Sequence, residues 1–271
     1  MTFSIRGKTA IVTGAANGIG LAIARHFVSA GANVMFADMD DAGLSQEVSD
    51  MRGDDDEATA RAFTGDLRER LTVANLLSAT LDSFDRIDIL VNASRQVVHS
   101  EALDADSDAV EMSLQQNLIP ALRLSQQVAK RMIRQAEEDG NESHAIGSIV
   151  NLSSIAAQRT RRNLMGYSIS CAALDQMTRS LAVELAPHRI RVNALAVGSV
   201  LSASLKGALK DNNAFRNDIR EHTPMARIAK PGELAESAQF LASDGSAFIT
   251  GQILTVDGGR TLLDAVTATA H

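Results

Sequence analysis

The chain has 271 residues, of which 45% are hydrophobic and 22% are charged, and both values are ordinary for a globular protein. A net charge of -7 and an isoelectric point near 5.4 argue against nucleic acid and anionic membranes as general partners. No apolar run approaches the roughly 20 residues that span a bilayer, and the N-terminus lacks a signal-peptide core. The single cysteine cannot form an internal disulfide, so we expect a cytoplasmic protein.

The first elements predicted from the sequence are a strand, a glycine-rich turn and a helix. An apolar run ends at Thr13, the turn Thr-Gly-Ala-Ala-Asn-Gly-Ile-Gly follows, and apolar residues then recur at helical spacing as far as Gly31. Gly14 can adopt a backbone conformation closed to other residues, whereas Gly18 lets the main chain approach a ligand. Gly20 lets the helix pack against the strand, so the turn has the composition of a dinucleotide-binding loop.

An acidic residue at the end of the second strand supports a nucleotide ligand. On its own, the glycine turn is equally compatible with a loop that binds nothing. The strand Asn33–Asp38, however, ends in an acid about 20 residues after the glycines, where a carboxylate can accept both ribose hydroxyls of an adenosine. The helix start then faces a pyrophosphate. Because no arginine stands nearby to bind a 2'-phosphate, the sequence favours NAD over NADP.

Strands and helices alternate along the rest of the chain, without a linker, an internal repeat or a low-complexity tract. Further strands are predicted at 60–64, 87–91, 148–152, 190–195 and 251–256, and helices at 71–84, 107–138, 165–186 and from 229 onwards, with helical stretches at 204–210 and 215–221. The spacing at 71–84 predicts one buried face, made of Leu71, Ala74, Leu77, Leu81 and Phe84. The acidic run at 53–57 predicts a solvated loop.

This alternation predicts the fold class. Parallel strands need crossover connections, so seven strands separated by helices indicate an α/β protein with a doubly wound parallel sheet of the Rossmann type and helices on both faces. We expect residues 1–271 to form a single dinucleotide-binding and catalytic domain.

Short motifs along nearly the whole chain together resemble the classical short-chain dehydrogenase/reductase family. They are the glycine turn at 13–20, Asp38, Asp66-Leu67, Val91-Asn92, Asn117, Ser154, Tyr167, Val192-Asn193-Ala194, Thr250-Gly251-Gln252 and Asp257-Gly258-Gly259. The resemblance implies an NAD-dependent enzyme that interconverts a secondary alcohol and a ketone.

The resemblance also implies roles for individual residues. Asp66 would contact the adenine and Asn92 would steady the adenosine side of the site. Asn117 would help to hold a proton-relay water, while Ser154 and Tyr167 would polarise the substrate oxygen. The residues expected to bind the cofactor are Gly14, Asn17, Gly18, Ile19, Gly20, Asp38, Asp66, Leu67 and Asn92.

The only tyrosine of the chain is Tyr167, thirteen residues after Ser154. A phenol there can pass a proton to or from an alcohol while a hydride moves to or from a nicotinamide. A lone tyrosine without such spacing is more often a core or interface ring. The spacing therefore predicts that Tyr167 is the general acid/base.

The chain departs from the family at the lysine of the Tyr-x-x-x-Lys motif. Cys171 takes that position, and no lysine occurs between Lys130 and Lys206. A phenol with a pKa near 10 is rarely ionised at pH 7, so loss of the cation is expected to slow chemistry that needs a phenolate. We interpret Cys171 as a small, unreactive side chain rather than as a nucleophile, because the sequence places no histidine beside it.

Three further features leave the site open to more than one interpretation. The family's Asn-Asn-Ala-Gly is Asn92-Ala-Ser-Arg95 here, and Arg95 either donates the missing charge or crowds the site. The family's Pro-Gly after the sixth strand is Val197-Gly198. Arg159, Arg161 and Arg162 either bind an anionic substrate group or form a solvated or subunit-facing loop.

Two functions remain compatible with these features. Ser154, Tyr167 and Asn117 favour an enzyme, with a substrate pocket formed largely by residues 199–225. Cys171, Arg95 and Val197 favour an impaired NAD-binding relative with a structural or regulatory role. Family resemblance and the apolar surfaces of the helices at 107–138 and 165–186 predict a homo-oligomer, a tetramer. The six histidines show no metal-ligand spacing, so no metal is assigned.

Overall fold

The computed structural model describes residues 2–52, 59–140, 145–210 and 212–264. The predicted acidic loop at 53–57 lies outside these residues.

The centre of the molecule is a parallel sheet of seven strands, which confirms the predicted fold class. Its strands are β1 (Thr9–Thr13), β2 (Asn33–Asp38), β3 (Ala60–Thr64), β4 (Ile89–Asn92), β5 (Gly147–Ser154), β6 (Ile190–Val197) and β7 (Ile253–Val256). They lie in the order β3-β2-β1-β4-β5-β6-β7. Chain order reverses between β1 and β4, and in such sheets ligands bind outside the carboxyl ends of the strands at that point.

Helices connect the strands. Within the described residues they are α1 (Gly18–Ser29), α2 (Asp41–Arg52), α3 (Arg70–Phe84), α4 (Val110–Asn117), α5 (Ile119–Glu138), α6 (Met165–Leu185), α7 (Ala203–Lys210), α8 (Asn213–Glu221) and α9 (Pro231–Ala242). Two separate apolar clusters cover the faces of the sheet, one with α1 and α9 and the other with α3 and α5. Except for the helix predicted at 107–138, the predicted strands and helices therefore exist, with bounds that differ by a few residues.

The long helix predicted at 107–138 is wrong, because the structure has two helices there. The backbone of Leu118, between α4 and α5, has φ -108° and ψ -56°. Pro120 lies in the first turn of α5 and has no N–H to continue the hydrogen bonds of α4. Helical periodicity continues through this junction, so apolar spacing alone does not reveal it.

The buried face predicted for α3 is also wrong at its start. Leu71 is 72% exposed, whereas Val73, Leu76 and Thr80 are buried. Thr80 is compatible with burial because its hydroxyl donates a hydrogen bond to the Leu76 carbonyl at 2.7 Å. The buried face of α3 therefore includes Thr80, which a pattern of apolar residues alone does not predict.

Candidate active site

The glycine turn after β1 is closely packed on one side and open on the other. A Cβ on Gly20 would lie 2.2 Å from the Gly14 carbonyl oxygen, so only glycine lets α1 approach β1 in this way. Gly14 has φ +66°, and a Cβ there would lie 2.9 Å from the Ala93 carbonyl oxygen. At Gly18, with φ +61°, the nearest contact would be the Ser202 Cβ at 4.0 Å. The main chain at Gly18 therefore leaves room for a ligand.

The start of α1 is suited to an anion. Asn17, which precedes the helix, makes no side-chain cap, and the first turn contains no acidic residue. The helix dipole is therefore not offset there by a carboxylate of its own first turn. The side chain of Ile19 is buried in the core, which leaves its backbone to face a ligand.

The carboxylate of Asp38 is held at the end of β2. Its Oδ2 accepts a hydrogen bond from the Ala16 amide at 3.1 Å, and its Oδ1 accepts one from the Met39 amide at 2.7 Å. These contacts place the acid beside the glycine turn, and a single pocket is lined by Gly14, Asp38, Asp66 and Leu67.

Arg68 lines the same pocket, so the argument that no arginine lies near Asp38 is wrong. The Arg68 Nε donates to both carboxylate oxygens of Asp66 at 2.9 Å, and its Nη2 donates to Oδ2 at 2.6 Å. These hydrogen bonds lower the pKa of Asp66. Both oxygens expected to contact an adenine are thus bonded to Arg68, a residue that sequence reasoning missed although it follows the Asp-Leu motif directly.

Hydrogen bonds fix the end of β4 and the loop that follows it. The buried Asn92 donates from Nδ2 to the Ser125 Oγ at 3.0 Å and to the Asn151 Oδ1 at 2.8 Å. Asn92 therefore contributes to the site by joining β4 to α5 and β5. The Thr13 Oγ1 accepts hydrogen bonds from the Ala93 and Ser94 amides at 3.0 and 3.1 Å. The anchoring role of Thr13 is a second feature that sequence reasoning missed.

The structure brings Ser154 and Tyr167 together. Ser154 ends β5 and Tyr167 lies in the first turn of α6, close enough for the serine hydroxyl to interact with the phenol. Tyr167 is only 4% exposed. Burial raises the pKa of Tyr167 above its usual value near 10, while the charge of Arg95 and the Ser154 hydroxyl lower it in part.

Asn117 lies at the end of α4 and holds the loop after β4. Its Oδ1 accepts from the Gln96 amide at 2.8 Å, and its Nδ2 donates to the Gln96 carbonyl at 2.9 Å. The same Nδ2 donates to the Ser170 Oγ at 3.2 Å, and Ser170 donates in turn to the Tyr167 carbonyl at 2.8 Å. Asn117 is thereby connected to the helix that carries the tyrosine.

Comparisons with known proteins show the family of the chain. The family model of enoyl-(acyl carrier protein) reductases matches residues 14–261. The 7α-hydroxysteroid dehydrogenase of Escherichia coli K12 is 31% identical over 255 residues, which cover 93% of this chain and 94% of that protein. The chain belongs to the short-chain dehydrogenase/reductase family.

Two solved structures of this family share both fold and length with the chain. A 7α-hydroxysteroid dehydrogenase complexed with NADH and 7-oxo glycochenodeoxycholic acid has a TM-score of 0.85 at 29% identity, over 95% of this chain and 96% of that one. A gluconate 5-dehydrogenase from Burkholderia cenocepacia, in complex with NADP and tartrate, has a TM-score of 0.85 at 29% identity, over 97% and 98%. Relatives of this chain therefore bind either NADH or NADP, and the chain is a short-chain dehydrogenase/reductase enzyme.

Cys171 takes the position that the resemblance predicts for the lysine of the Tyr-x-x-x-Lys motif. It lies one helical turn after Tyr167 on α6, is 4% exposed, and is close enough for its thiol to interact with the Tyr167 hydroxyl. Burial raises the pKa of the thiol, so the group is neutral near pH 7. A neutral thiol cannot supply the charge that a lysine supplies.

The three arginines after β5 lie on the surface. Arg159 donates from Nη2 to the Thr261 carbonyl, and Arg161 and Arg162 are exposed. In the parts of the chain that the structure describes, no group of three or more His, Cys, Asp or Glu residues could hold a metal ion. None of the described helices is both long and apolar enough to span a membrane.

Proposed function

We propose that the protein is an NAD-dependent oxidoreductase that interconverts a secondary alcohol and a ketone, with Tyr167 as general acid/base. The pairing of the Ser154 and Tyr167 hydroxyl groups, at the carboxyl end of β5 and the start of α6, carries this proposal. Two hydroxyl groups at that point can hold one substrate oxygen and exchange a proton with it. An impaired relative with a purely structural role is not favoured, because the pair is assembled.

The residues around the glycine turn fit a dinucleotide. The backbone at 14–20 would hold its pyrophosphate and Asp38 its adenosine ribose, and the bound nucleotide would supply the hydride acceptor or donor. The Asp38 carboxylate would repel a 2'-phosphate, which supports NAD. Arg68 is paired with Asp66, so we infer that it does not offset that repulsion.

The chain's own groups account for the proton transfer. In alcohol oxidation the substrate O–H bond breaks and its proton passes to the phenolate oxygen of ionised Tyr167, while the C–H bond breaks and its hydride would go to the bound nucleotide. In ketone reduction a hydride from the nucleotide would add to the carbonyl carbon, the Tyr167 O–H bond breaks, and its proton passes to the substrate oxygen. Ser154 donates a hydrogen bond to that oxygen in both directions. The raised pKa of Tyr167 keeps the phenol protonated near pH 7, which suits it to donate.

The substrate class follows less directly from the site. We propose a small molecule that carries the alcohol or ketone, with an anionic group that Arg161 or Arg162 binds. Both arginines are exposed, and they lie in the segment between Ser154 and Tyr167. A related dehydrogenase acts on gluconate, which is itself an anion. Residues 199–225 would complete the pocket, since Ser202 approaches Gly18.

Turnover assays test the assignment of Tyr167. The parent, Tyr167→Phe and Ser154→Ala would be assayed with NAD and with NADP on secondary alcohols, ketones, hydroxy acids and an enoyl thioester. We expect NAD-linked turnover of an alcohol or ketone in the parent, a loss of at least about 100-fold in Tyr167→Phe and a smaller loss in Ser154→Ala. Full activity in Tyr167→Phe would contradict the proposal.

Calorimetric titration with both nucleotides tests the cofactor. We expect NAD to bind more tightly than NADP to the parent, because Asp38 lies where the second molecule carries its extra phosphate. Equal or tighter binding of NADP would overturn this part of the proposal and leave the reaction class unaffected.

A further inference from the structure

The loop after β4 carries an arginine between two fixed points. On one side the hydroxyl of Thr13 binds the Ala93 and Ser94 amides at 3.0 and 3.1 Å. On the other side the amide group of Asn117 brackets the main chain of Gln96, with contacts of 2.8 and 2.9 Å. Arg95 stands between these anchors, so the position of its backbone is set by neighbours on β1 and α4.

The guanidinium of Arg95 is directed to the end of β5. Its Nη1 donates a hydrogen bond to the Ser153 carbonyl at 2.9 Å, and the residue is partly buried. Ser153 immediately precedes Ser154, whose hydroxyl interacts with Tyr167. The positive charge of the guanidinium is therefore held at the strand end that carries Ser154.

Few charged or titratable groups face this pair. Among the described residues, two titratable groups act on Tyr167 by charge, and they are Arg95, from the loop after β4, and Cys171, from the same helix as the tyrosine. The strand β5 contributes the neutral hydroxyl of Ser154. Asp175 acts on Cys171 from the next helical turn, and burial raises its pKa. Arg95 is thus the cation of this set, and its charge favours the phenolate.

We propose that Arg95 is a positioning residue that supplies, from the loop after β4, the positive charge that stabilises the ionised form of Tyr167. In other members of the family a lysine at the position of Cys171 brings that charge on the same helix as the tyrosine. Here the cation stands on a different element, and a neutral thiol fills the place of the lysine. The inference rests on the proposed role of Tyr167 as general acid/base.

The charge of Arg95 acts on the phenolate form of Tyr167, which appears when the proton is transferred. When a ketone is reduced, the O–H bond of Tyr167 breaks, its proton goes to the substrate oxygen, and a phenolate remains in a largely buried position. Nearby positive charge lowers the free energy of that phenolate relative to the phenol. In the oxidation direction the same charge raises the fraction of Tyr167 that is ready to accept the proton.

The composition of the chain permits a direct measurement of this effect. Tyr167 is the single tyrosine and the chain has no tryptophan, so the near-ultraviolet absorbance of tyrosinate reports the ionisation of one residue. Alkaline pH jumps in a stopped-flow instrument would record it before slower unfolding, without cofactor or substrate. The variants are Arg95→Met, Arg95→Gln and Arg95→Lys, with Arg134→Met as the control for loss of an exposed arginine on α5.

We expect the titration midpoint of Tyr167 to rise by about one pH unit in Arg95→Met and Arg95→Gln, and to stay near the parent value in Arg95→Lys and Arg134→Met. Adding Cys171→Lys to Arg95→Met is expected to return the midpoint toward that of the parent. An unchanged midpoint in folded Arg95→Gln or Arg95→Met overturns the inference. So does an equal rise in Arg95→Lys, because that result assigns the effect to packing rather than to charge.

The pH profile of turnover separates this inference from the proposed function. We expect the limb on which alcohol oxidation rises with pH to shift upward by about one unit in Arg95→Met and to return when Cys171→Lys is added. If Tyr167→Phe abolishes turnover while neither midpoint nor profile depends on Arg95, the inference fails and the proposed function stands. If the midpoint depends on Arg95 but no variant turns over any substrate, the proposed function fails and the electrostatic coupling stands.

Discussion

Tyr167, the proposed proton-transfer residue, is buried, and its neighbours offset only part of the cost of ionising it there. Tyr167 is 4% exposed, and desolvation is the largest influence on the pKa of its phenol. The Ser154 hydroxyl and the Arg95 charge act in the opposite direction, but the pKa stays above its usual value. A second cation beside the phenol is therefore expected to lower the pKa of Tyr167 further.

Replacing Cys171 by lysine tests this expectation. The side chain lies one turn from Tyr167 on the same helix, so an ammonium group there is within reach of the phenolate. We expect Cys171→Lys to raise NAD-linked turnover near pH 7 and to shift the pH profile downward by about one unit. The gain is expected to be larger in Arg95→Met than in the parent, because the parent already has one cation.

Cys171→Met is the control for that substitution, since it changes size without adding charge. An unshifted profile in Cys171→Lys, or the same shift in Cys171→Met, would contradict the electrostatic explanation.

Asp38, at the end of β2, provides a second test at the level of a single residue. Asp38→Ser removes the carboxylate that would bind the adenosine ribose, so we expect NAD to bind about tenfold more weakly. NADP is expected to bind more tightly than it does to the parent, because the repulsion is removed and Arg68 lies in the same pocket. Calorimetry measures both affinities, and Asp40→Ser, an exposed neighbour, is the control. A loss of affinity for both nucleotides would show that Asp38 does not discriminate between them.

Sequence reasoning located the site residues better than it located their contacts. The motif spacing brought Ser154 and Tyr167 to one place, because the end of a strand and the first turn of the following helix are fixed by the fold. The sequence left two roles open for Arg95, since the direction of a loop side chain depends on hydrogen bonds that only the folded chain provides, such as the one to Ser153. The pairing of Arg68 with Asp66 was missed for the same reason.

At the scale of elements, the start of α9 shows how a helix is fixed against the sheet. The Glu233 carboxylate accepts a hydrogen bond from the Lys230 amide at 2.8 Å and two from Arg227 at 2.7 and 2.6 Å. These contacts, with that of Arg227 the largest, lower the pKa of Glu233 to about 2. The helix buries Leu234, Ala235 and Ala238 in the cluster it shares with α1.

We therefore expect Glu233→Gln to lower the free energy of unfolding by about 1 kcal/mol at pH 7, or the melting temperature by roughly 2 °C. Glu236→Gln, on the same helix but exposed, removes an equal charge and is expected to change little. The folded-state pKa of Glu233 is depressed, so its contribution is present above about 4.5 and is lost as pH falls toward about 2. Calorimetric melts of both variants across this range measure the difference, and a gap that persists at acid pH would refute the assignment.

Apolar spacing predicted that the elements exist more reliably than where they begin and end. The break between α4 and α5 follows from Pro120, whose missing N–H is visible in the sequence, yet proline is also tolerated inside the first turn of a single helix. The choice between one helix and two depends on how the segment packs, which its own residues do not specify. The burial of Thr80 on α3 was likewise not predicted, because a hydroxyl that donates a hydrogen bond to its own helix can occupy a buried position in place of an apolar side chain.

For the whole molecule, sheet topology decides where chemistry can occur. The reversal of chain order between β1 and β4 brings the ends of β1, β2, β4 and β5 to one crevice, and these ends carry Thr13, Asp38, Asn92 and Ser154. Residues far apart in the chain therefore meet because strands run parallel. This much was predictable, since alternating strands and helices leave few arrangements of a parallel sheet.

Exposed apolar side chains lie on the helices α4 and α6 and in the segments before and after β7. Val183 on α6 is 73% exposed, Met112 on α4 is 50% exposed, and Ile169 on α6 is 41% exposed. Phe248 and Leu262, on either side of the edge strand β7, are 105% and 85% exposed. Exposed apolar side chains that form a contiguous patch mark surfaces that bind another protein.

We propose that these surfaces join copies of the chain into a homo-tetramer. Light scattering at micromolar concentration is expected to give four times the mass of the chain for the parent and a smaller assembly for Val183→Asp or Phe248→Asp, because a charge in an apolar interface is costly to bury. Leu71→Asp is the matched control, since Leu71 is 72% exposed on α3, away from both surfaces. A parent that is monomeric, or a control that dissociates as readily as Val183→Asp, would refute the proposal. Were Val183→Asp alone to give dimers, α6 would be one of two separate interfaces, with the edge at β7 as the other.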